Sequence, residues 1–322
     1  MASLVVVGAS QGGVEAIHRL VGDLPADFPA AILVVVHIGS GPSMLPSILN
    51  DLRKLPASHA VAGQLIERGH IYVAPPDRHM VVTDGHLELT RGPRENWTRP
   101  AIDPLFRSAA EVFGAEAIGV ILTGGLNDGT IGLYEIKRRG AATMVQEPAE
   151  AAAPSMPQSA MENVAIDYCL PLSKMAEALV RLTRSEKKTE RELRPGVRIM
   201  LSDEQPLEHP TAQTCPECGG AMREEKIGRL TQYRCHIGHV MTGEVLAAAQ
   251  LETLEYNVSS VLRSLNERRE LCMDLASQHR ANDNSAAERR WSAAAEEARQ
   301  REVDFRPMAE AQWLRPDRRE RG

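Results

Sequence analysis

No apolar run in this 322-residue chain approaches the ~18 residues a membrane-spanning helix requires. The N-terminus has no basic segment, and the apolar run that begins at Leu4 breaks at Gly8, so it reads as a strand rather than a secretory signal. Neither sign of charge dominates: 37 basic and 43 acidic side chains leave a net charge of −6, without the basic footprint of a nucleic-acid binder. Cysteine is scarce as well. There are five, an odd number, with three between residues 215 and 235. That distribution suits a reduced compartment and a metal site better than a disulfide framework. The expectation is a cytoplasmic protein with no membrane insertion and no nucleic-acid partner. What is present suffices for a core, since 43% of the residues are apolar, and the length suggests two domains.

Charge density divides the chain. Residues 1–185 carry 15 basic and 19 acidic side chains, whereas the shorter 186–322 carries 22 and 24. Between them, Ser185-Glu-Lys-Lys-Thr-Glu-Arg-Glu192 has almost nothing to bury, and 186–210 reads as a linker. In the first part, apolar runs alternate with helical stretches. Ala31–His37 and Ala117–Leu122 read as strands buried on both faces, and Met80–Leu89 as a hairpin turning at Asp84-Gly85. This alternation predicts an α/β fold with a doubly wound, mostly parallel, Rossmann-like sheet. Ligands of such sheets sit outside the carboxyl ends of the strands.

Three strand ends carry chemistry. The first strand runs into Gly8-Ala9-Ser10-Gln11-Gly12, which fits the G-x-S-x-G turn that presents a nucleophile. The same glycines could instead form a phosphate-cradling nucleotide loop, or a plain tight turn. A nucleotide loop wants an acid at the end of the second strand, and that strand ends in His37. A lone histidine at such a position reads first as a core residue, but His37 lies at the same sheet edge as Ser10, where it could act as its general base. The third end, Leu122-Thr-Gly-Gly-Leu-Asn-Asp128-Gly129, offers Asp128 either as an N-cap or as the group that orients His37. Three triad-competent residues on one sheet edge favour an esterase over a nucleotide binder.

The segments around these residues resemble the chemotaxis protein-glutamate methylesterases of the CheB type. The resemblance spans about residues 3–183 and rests on five segments in order. These are GASQGG around Ser10, the strand-end His37, Ala74-Pro-Pro-Asp-Arg-His-Met80, Arg99-Pro-Ala-Ile-Asp103-Pro-Leu-Phe106 and Leu122–Gly129. It implies a serine hydrolase with Ser10, His37 and Asp128 as its triad and no cofactor for catalysis. The implied substrates are glutamate methyl esters on the cytoplasmic helices of chemoreceptors, and in some members receptor glutamines. It also implies a backbone oxyanion site that includes Gln11. Two departures stand out. Typical members begin with a receiver domain, whereas this chain starts at the catalytic strand, so a stand-alone form is expected. The family's Gly-Met-Gly loop is Gly124-Gly125-Leu126 here, which puts Gly125 at the active-site methionine and bears on the oxyanion loop. Arg99, Asp103 and His79 lie in family-like segments and could line the cleft or make structural pairs. An alternative function is a docking or regulatory protein that binds methylated partners with little turnover.

In the C-terminal part, Cys215-Pro-Glu-Cys218 is followed after sixteen residues by Cys235-His236-Ile-Gly-His239. This spacing fits a small zinc-ribbon-like module over 211–243, with Cys215, Cys218, Cys235 and His239 as ligands of a structural zinc and His236 spare. Residues 244–322 read as a helical region with a loose tail. Leu251, Leu254, Val258, Val261, Leu265, Cys272 and Leu275 form a seam that Arg268 interrupts. The seam suits packing within the domain or a dimer. A chemotaxis methyltransferase or kinase is a candidate partner for this region.

Overall fold

The apolar runs are strands of one sheet in the computed structural model, which describes residues 4–37, 41–184 and 210–314. From the N-terminus come β1 (Leu4–Ala9), α1 (Gly13–Gly22), β2 (Ala31–Val36), α2 (Leu45–Asp51) and β3 (Ala57–His59). The short β4 (Gln64–Leu65), β5 (Ile71–Val73), β6 (His79–Thr83) and β7 (His86–Thr90) follow. Then come α3 (Ile102–Phe113), β8 (Ala117–Ile121), α4 (Thr130–Arg138), β9 (Ala142–Gln146), α5 (Ser155–Asn163), β10 (Tyr168–Leu170) and α6 (Leu172–Arg184). Beyond the segment expected as a linker, which lies outside the described residues except for Pro210, are β11 (Pro210–Thr214), β12 (Ala221–Ile227), β13 (Leu230–Cys235) and β14 (Val240–Thr242). Two long helices, α7 (Gly243–Ala281) and α8 (Ser285–Glu310), end the described chain.

Seven strands form the main sheet in the order β10-β9-β8-β1-β2-β5-β3, and every pairing in it is parallel. The chain winds one way from β1 to β2 and returns to β1's other side with β8. The ends of β1, β2 and β8 therefore meet at the topological switch point, where such sheets bind ligands. β1 explains why its run is apolar without interruption. Val5 and Val7 enter one core with Ile17, Leu20 and Leu179, whereas Leu4 and Val6 enter the other with Leu105, Phe106 and Leu133. A strand buried on both faces has no polar alternation.

A three-stranded antiparallel sheet, β4-β7-β6, flanks this core. The β6–β7 turn has Asp84 at φ 49° and Gly85 at φ 79°, as the hairpin reading requires. β3 and β4 went unread in the sequence because two or three residues carry no periodicity. The antiparallel sheet β11-β12-β13-β14 holds the Cys and His residues.

Contacts divide the chain into two compact units, residues 1–246 and 247–322. In the second, the later part of the expected helical region is the 26-residue α8, capped by the Asn284 side chain at the Ala287 N–H (3.2 Å). Pro307 lies within its last turn, where it deprives the Val303 carbonyl of its helical donor, and the helix ends three residues on. Arg269 and Arg280 of α7 pair with Glu302 and Glu288 of α8 at 3.0 and 2.6 Å. Of the expected seam, Val258 and Cys272 are buried, while Leu254 and Val261 remain exposed. Arg268 is exposed, and its neighbour Arg269 makes the cross-helix pair. Among the described residues no helix is long and apolar enough to cross a membrane.

Candidate active site

Ser10 follows β1 directly. Its N–H donates to the Thr123 carbonyl at the end of β8 (2.9 Å), and its own carbonyl accepts from Gly13 N–H (2.8 Å). The turn closes through Gly12, whose φ of 76° is left-handed and whose missing Cβ would stand 2.7 Å from Ala152 Cβ. A larger residue is excluded there on both grounds. Thr123 Oγ1 donates to the Gln11 carbonyl (2.8 Å) and accepts from Ala153 N–H (2.8 Å), which ties the serine turn to the loop after β9.

His37, at the end of β2, lines the same cavity as Ser10, a surface pocket of about 590 Å³ that also takes in Glu15, His18 and Ile48. Its Nε2 meets Asp128 Oδ2 at 2.8 Å, and Thr98 Oγ1 lies 3.3 Å from the same nitrogen. Among the described residues the Ser10 hydroxyl makes no hydrogen bond to His37.

Asp128 is not the N-cap of the helix after it, since Gly129 is at that position with φ 90°. Its carboxylate instead serves the start of α3. Oδ2 accepts from Ile102 N–H (2.7 Å), and Oδ1 accepts from Asp103 N–H (3.3 Å), Gly129 N–H (2.9 Å) and Asn96 Nδ2 (2.8 Å). α3 has no side-chain cap of its own, so Asp128 satisfies its first orphan donors and sits at the positive end of its dipole. Burial alone would raise the Asp128 pKa. The His37 hydrogen bond and charge, with the Ile102 and Asn96 bonds, outweigh it and hold the carboxyl below its ordinary value. Asp103 is the opposite case. Burial first, and the Asp128 charge second, push its pKa up to about 8. Asn96 Nδ2 bridges the two acids, at 2.8 Å from Asp103 Oδ2 as well as from Asp128.

The other residues singled out from the sequence divide. Arg99 pairs with Asp77 (2.6 Å) rather than with Asp103. His79 is buried between the Pro93 carbonyl (3.0 Å) and the Ala101 N–H (3.2 Å), and burial lowers its pKa. Both brace the segment that leads into α3. Gln11 is exposed at the mouth of the turn. Gly125 is exposed with open space about its Cα, and the glycine against Ser10 is Gly124. A Cβ on Gly124 would fall 1.9 Å from Met156 Sδ and 2.9 Å from Ser10 Cβ. Leu126 takes φ 59°, a left-handed conformation that a branched-chain residue adopts only under constraint. The sequence reading missed Asn96 and Thr98. Their only local signal is an Asn ahead of the Arg99–Phe106 segment, in a loop with no periodicity.

The remaining site is a Cys₃His cluster of the metal-binding type. Sγ atoms of Cys215, Cys218 and Cys235 and a ring nitrogen of His239 all lie within 4.8 Å of one another. Cys218 and Cys235 sulfurs are 3.6 Å apart, and His239 Nδ1 lies 3.4 Å from Cys235 Sγ. His236 stays outside and packs over the bare Cα of Gly220.

Similarity to known proteins covers the first part of the chain. Residues 5–179 match the family model described as CheB methylesterase. A relative from Leptospira interrogans, assigned as a protein-glutamate methylesterase/protein-glutamine glutaminase, is 39% identical over 183 residues, which are 56% of this chain and 95% of that protein. The enzyme of the same name from Photorhabdus laumondii is 38% identical over 182 residues, 55% of this chain and 52% of its own. The crystal structure of the Thermotoga maritima CheB methylesterase catalytic domain superposes with a TM-score of 0.54 at 32% identity, over 56% of this chain and 99% of that one. With more than half of its length matched, and the three strand ends inside the matched segment, the chain belongs to the CheB methylesterase family.

Proposed function

We propose that this chain hydrolyses glutamate methyl esters on chemoreceptor helices in chemotaxis-type signalling, with Ser10 as nucleophile, His37 as general base and Asp128 as the acid that orients it. The observation that carries this reading is the 2.8 Å His37–Asp128 pair beside Ser10 at the switch point of the sheet. Asp128 engages Nε2, so Nδ1 is the nitrogen that takes the serine proton. Ser10 attacks the ester carbonyl, and His37 then returns the proton to the departing methanol. Water, deprotonated by His37, hydrolyses the acyl-enzyme. The Gln11 and Gly125 N–H groups find no acceptor among the described residues and are the oxyanion donors of this reading. A glutamine amide enters the same sequence, with ammonia leaving in place of methanol. The cavity opens at the surface, as a side chain presented on a receptor helix requires.

The reading is tested by methanol release from methylated receptor fragments. Ser10→Ala should lose roughly 10⁴-fold or more in rate; a variant that keeps the wild-type rate ends the assignment.

We further infer that the Cys₃His cluster holds a structural zinc ion. Zinc–sulfur bonds of about 2.3 Å place the corners of a tetrahedron roughly 3.8 Å apart, near the 3.6 Å between Cys218 and Cys235. Four protein ligands close the coordination sphere, so such an ion supplies folding energy rather than chemistry. Purified protein should carry one equivalent of zinc, and chelation should lower its melting temperature. Well under one equivalent, with melting indifferent to chelator, contradicts this.

A further inference from the structure

The four-stranded sheet of the Cys/His module does not stop at β14. The stretch Arg94–Asn96 runs alongside β14, joined to it by a single parallel bridge between Glu95 and Val240. Asn96 N–H donates to the Val240 carbonyl (2.8 Å), and Val240 N–H donates to the Arg94 carbonyl (3.3 Å). Arg94 also reaches Glu217 inside the first Cys knuckle (3.4 Å). From this edge the chain turns back at once. Glu95 and Thr98 face each other in an antiparallel bridge, and the two residues between them, Asn96 and Trp97, both take left-handed φ, 49° and 64°. Asn is at home there, whereas Trp in that conformation costs energy and persists only where its surroundings over-determine it. β14 is one of those surroundings.

This tight turn aims two side chains at the candidate active site. Thr98 Oγ1 lies 3.3 Å from His37 Nε2, and Asn96 Nδ2 donates to both Asp128 and Asp103. An amide aimed the wrong way would set its oxygen against two carboxyls. Thr242 at the end of β14 decides the orientation, because its N–H donates to Asn96 Oδ1 (3.2 Å) and leaves the NH₂ for the acids. The same residue holds the other flank of Asp128. Thr242 Oγ1 donates to Asn127 Oδ1 (2.8 Å), and Asn127 Nδ2 donates to Glu244 Oε2 (2.9 Å) in the first turn of α7. Both Asn96 and Asn127 are buried, at 4% and 2% exposure, so no water substitutes for these partners.

We propose that Asn96 is a positioning residue for Asp128 and that β14 of the Cys/His module clamps it in place, so that an ordered, metal-loaded module is required for full esterase turnover. This rests on the triad and zinc readings given above. Asn96 touches neither substrate nor reacting atom and acts through Asp128 on His37. His239, three residues before Thr242, belongs to the metal cluster, so ligand loss is transmitted along one short strand.

The test uses the full-length protein, with methanol release from a methylated receptor fragment and fluorophosphonate labelling of Ser10 as parallel readouts. Asn96→Ala should lower kcat by about 10–100-fold, by analogy with the hydrogen-bond partners that orient metal ligands, with KM changed by less than about threefold. The pH profile of kcat/KM should change as well, which loss of stability alone would not cause. Thr242→Val removes the hydroxyl that holds Asn127 while keeping the side chain's shape, and should act in the same direction by a smaller factor. Treatment with 1,10-phenanthroline should slow Ser10 labelling in the wild type, and should slow Asn96→Ala by a smaller factor, through the Asn127 flank alone.

The proposal is overturned if Asn96→Ala keeps the wild-type pH profile and kcat. It is equally overturned if chelator slows Asn96→Ala by as large a factor as it slows wild type, or if wild type shown to have lost its bound metal labels at the untreated rate. Should Asn96→Ala fail to melt cooperatively, Asn96→Ser, which also lacks the bridging amide, and the chelated wild type decide the matter. Absence of both methanol release and Ser10 labelling in untreated wild type is a different result, and it removes the triad reading instead.

Discussion

Replacing Asp128 by Asn changes one oxygen to an NH₂ in a pocket built only of donors. Two N–H groups point at Oδ2, from His37 and Ile102, and three at Oδ1, from Asn96, Gly129 and Asp103. Neither orientation of the amide satisfies them. With NH₂ at the Oδ1 position, three donors face a donor. With NH₂ at the Oδ2 position, Ile102 N–H is orphaned, and His37 is satisfied only by accepting at Nε2. That places its proton on Nδ1, the nitrogen that in the proposed mechanism takes the proton of Ser10. The second arrangement costs less, and it locks the imidazole in the unreactive tautomer. One orphaned buried N–H costs about 1–3 kcal/mol of stability. The tautomer error is worth about 10⁴-fold in kcat, or roughly 5 kcal/mol of transition-state stabilisation. Asp128→Asn should therefore fold, with a urea midpoint lowered by an amount consistent with that single orphan, and release methanol about 10⁴ times more slowly at unchanged substrate affinity. A variant within tenfold of wild type, at matched fold, would refute Asp128 as the group that orients His37.

Two further outcomes follow from the same geometry. Gly124→Ala must displace Met156 and press on Ser10, because its Cβ would stand 1.9 and 2.9 Å from them; a loss of about 1–3 kcal/mol and slower phosphonate labelling are expected. Gly125→Met, which restores the family's methionine into open space, should leave the melting temperature unchanged and alter only KM or kcat; a large destabilisation would contradict the loop geometry. Asp103 and Asp128 also predict opposite pH dependences. A raised folded pKa, about 8 for Asp103, means that its contribution is complete below the unfolded value of about 3.9 and is lost as pH rises through about 8. The lowered pKa of Asp128 means that its contribution is present above that unfolded value and lost as pH falls through the folded one. Urea midpoints from pH 5 to 9 should fall in wild type and flatten in Asp103→Asn; an equal slope in both would assign the dependence to another group.

The sequence by itself determined the elements whose signal is local. β1, β2 and β8 are uninterrupted apolar runs because both faces of a central parallel strand are buried, and their carboxyl ends already marked Ser10, His37 and Asp128 as neighbours on one edge. The β6–β7 turn and the Cys/His spacing were legible for the same reason, since short-range stereochemistry and ligand geometry set them. What the tertiary structure alone decided is everything that depends on distant backbone meeting at fixed distance. Asp128 reads in the sequence as an N-cap of its own helix, yet it caps α3, which begins 26 residues earlier. Arg99 and Asp103 sit four apart in one segment but take different partners. Asn96 carries no pattern at all, because besides Asp103 its partners are an acid 32 positions away and a strand N–H 146 positions away. Periodicity records which face of an element is buried. It does not record which loop closes on which strand, and here that closure sets both the orientation of the Asn96 amide and the environment of the acid behind His37.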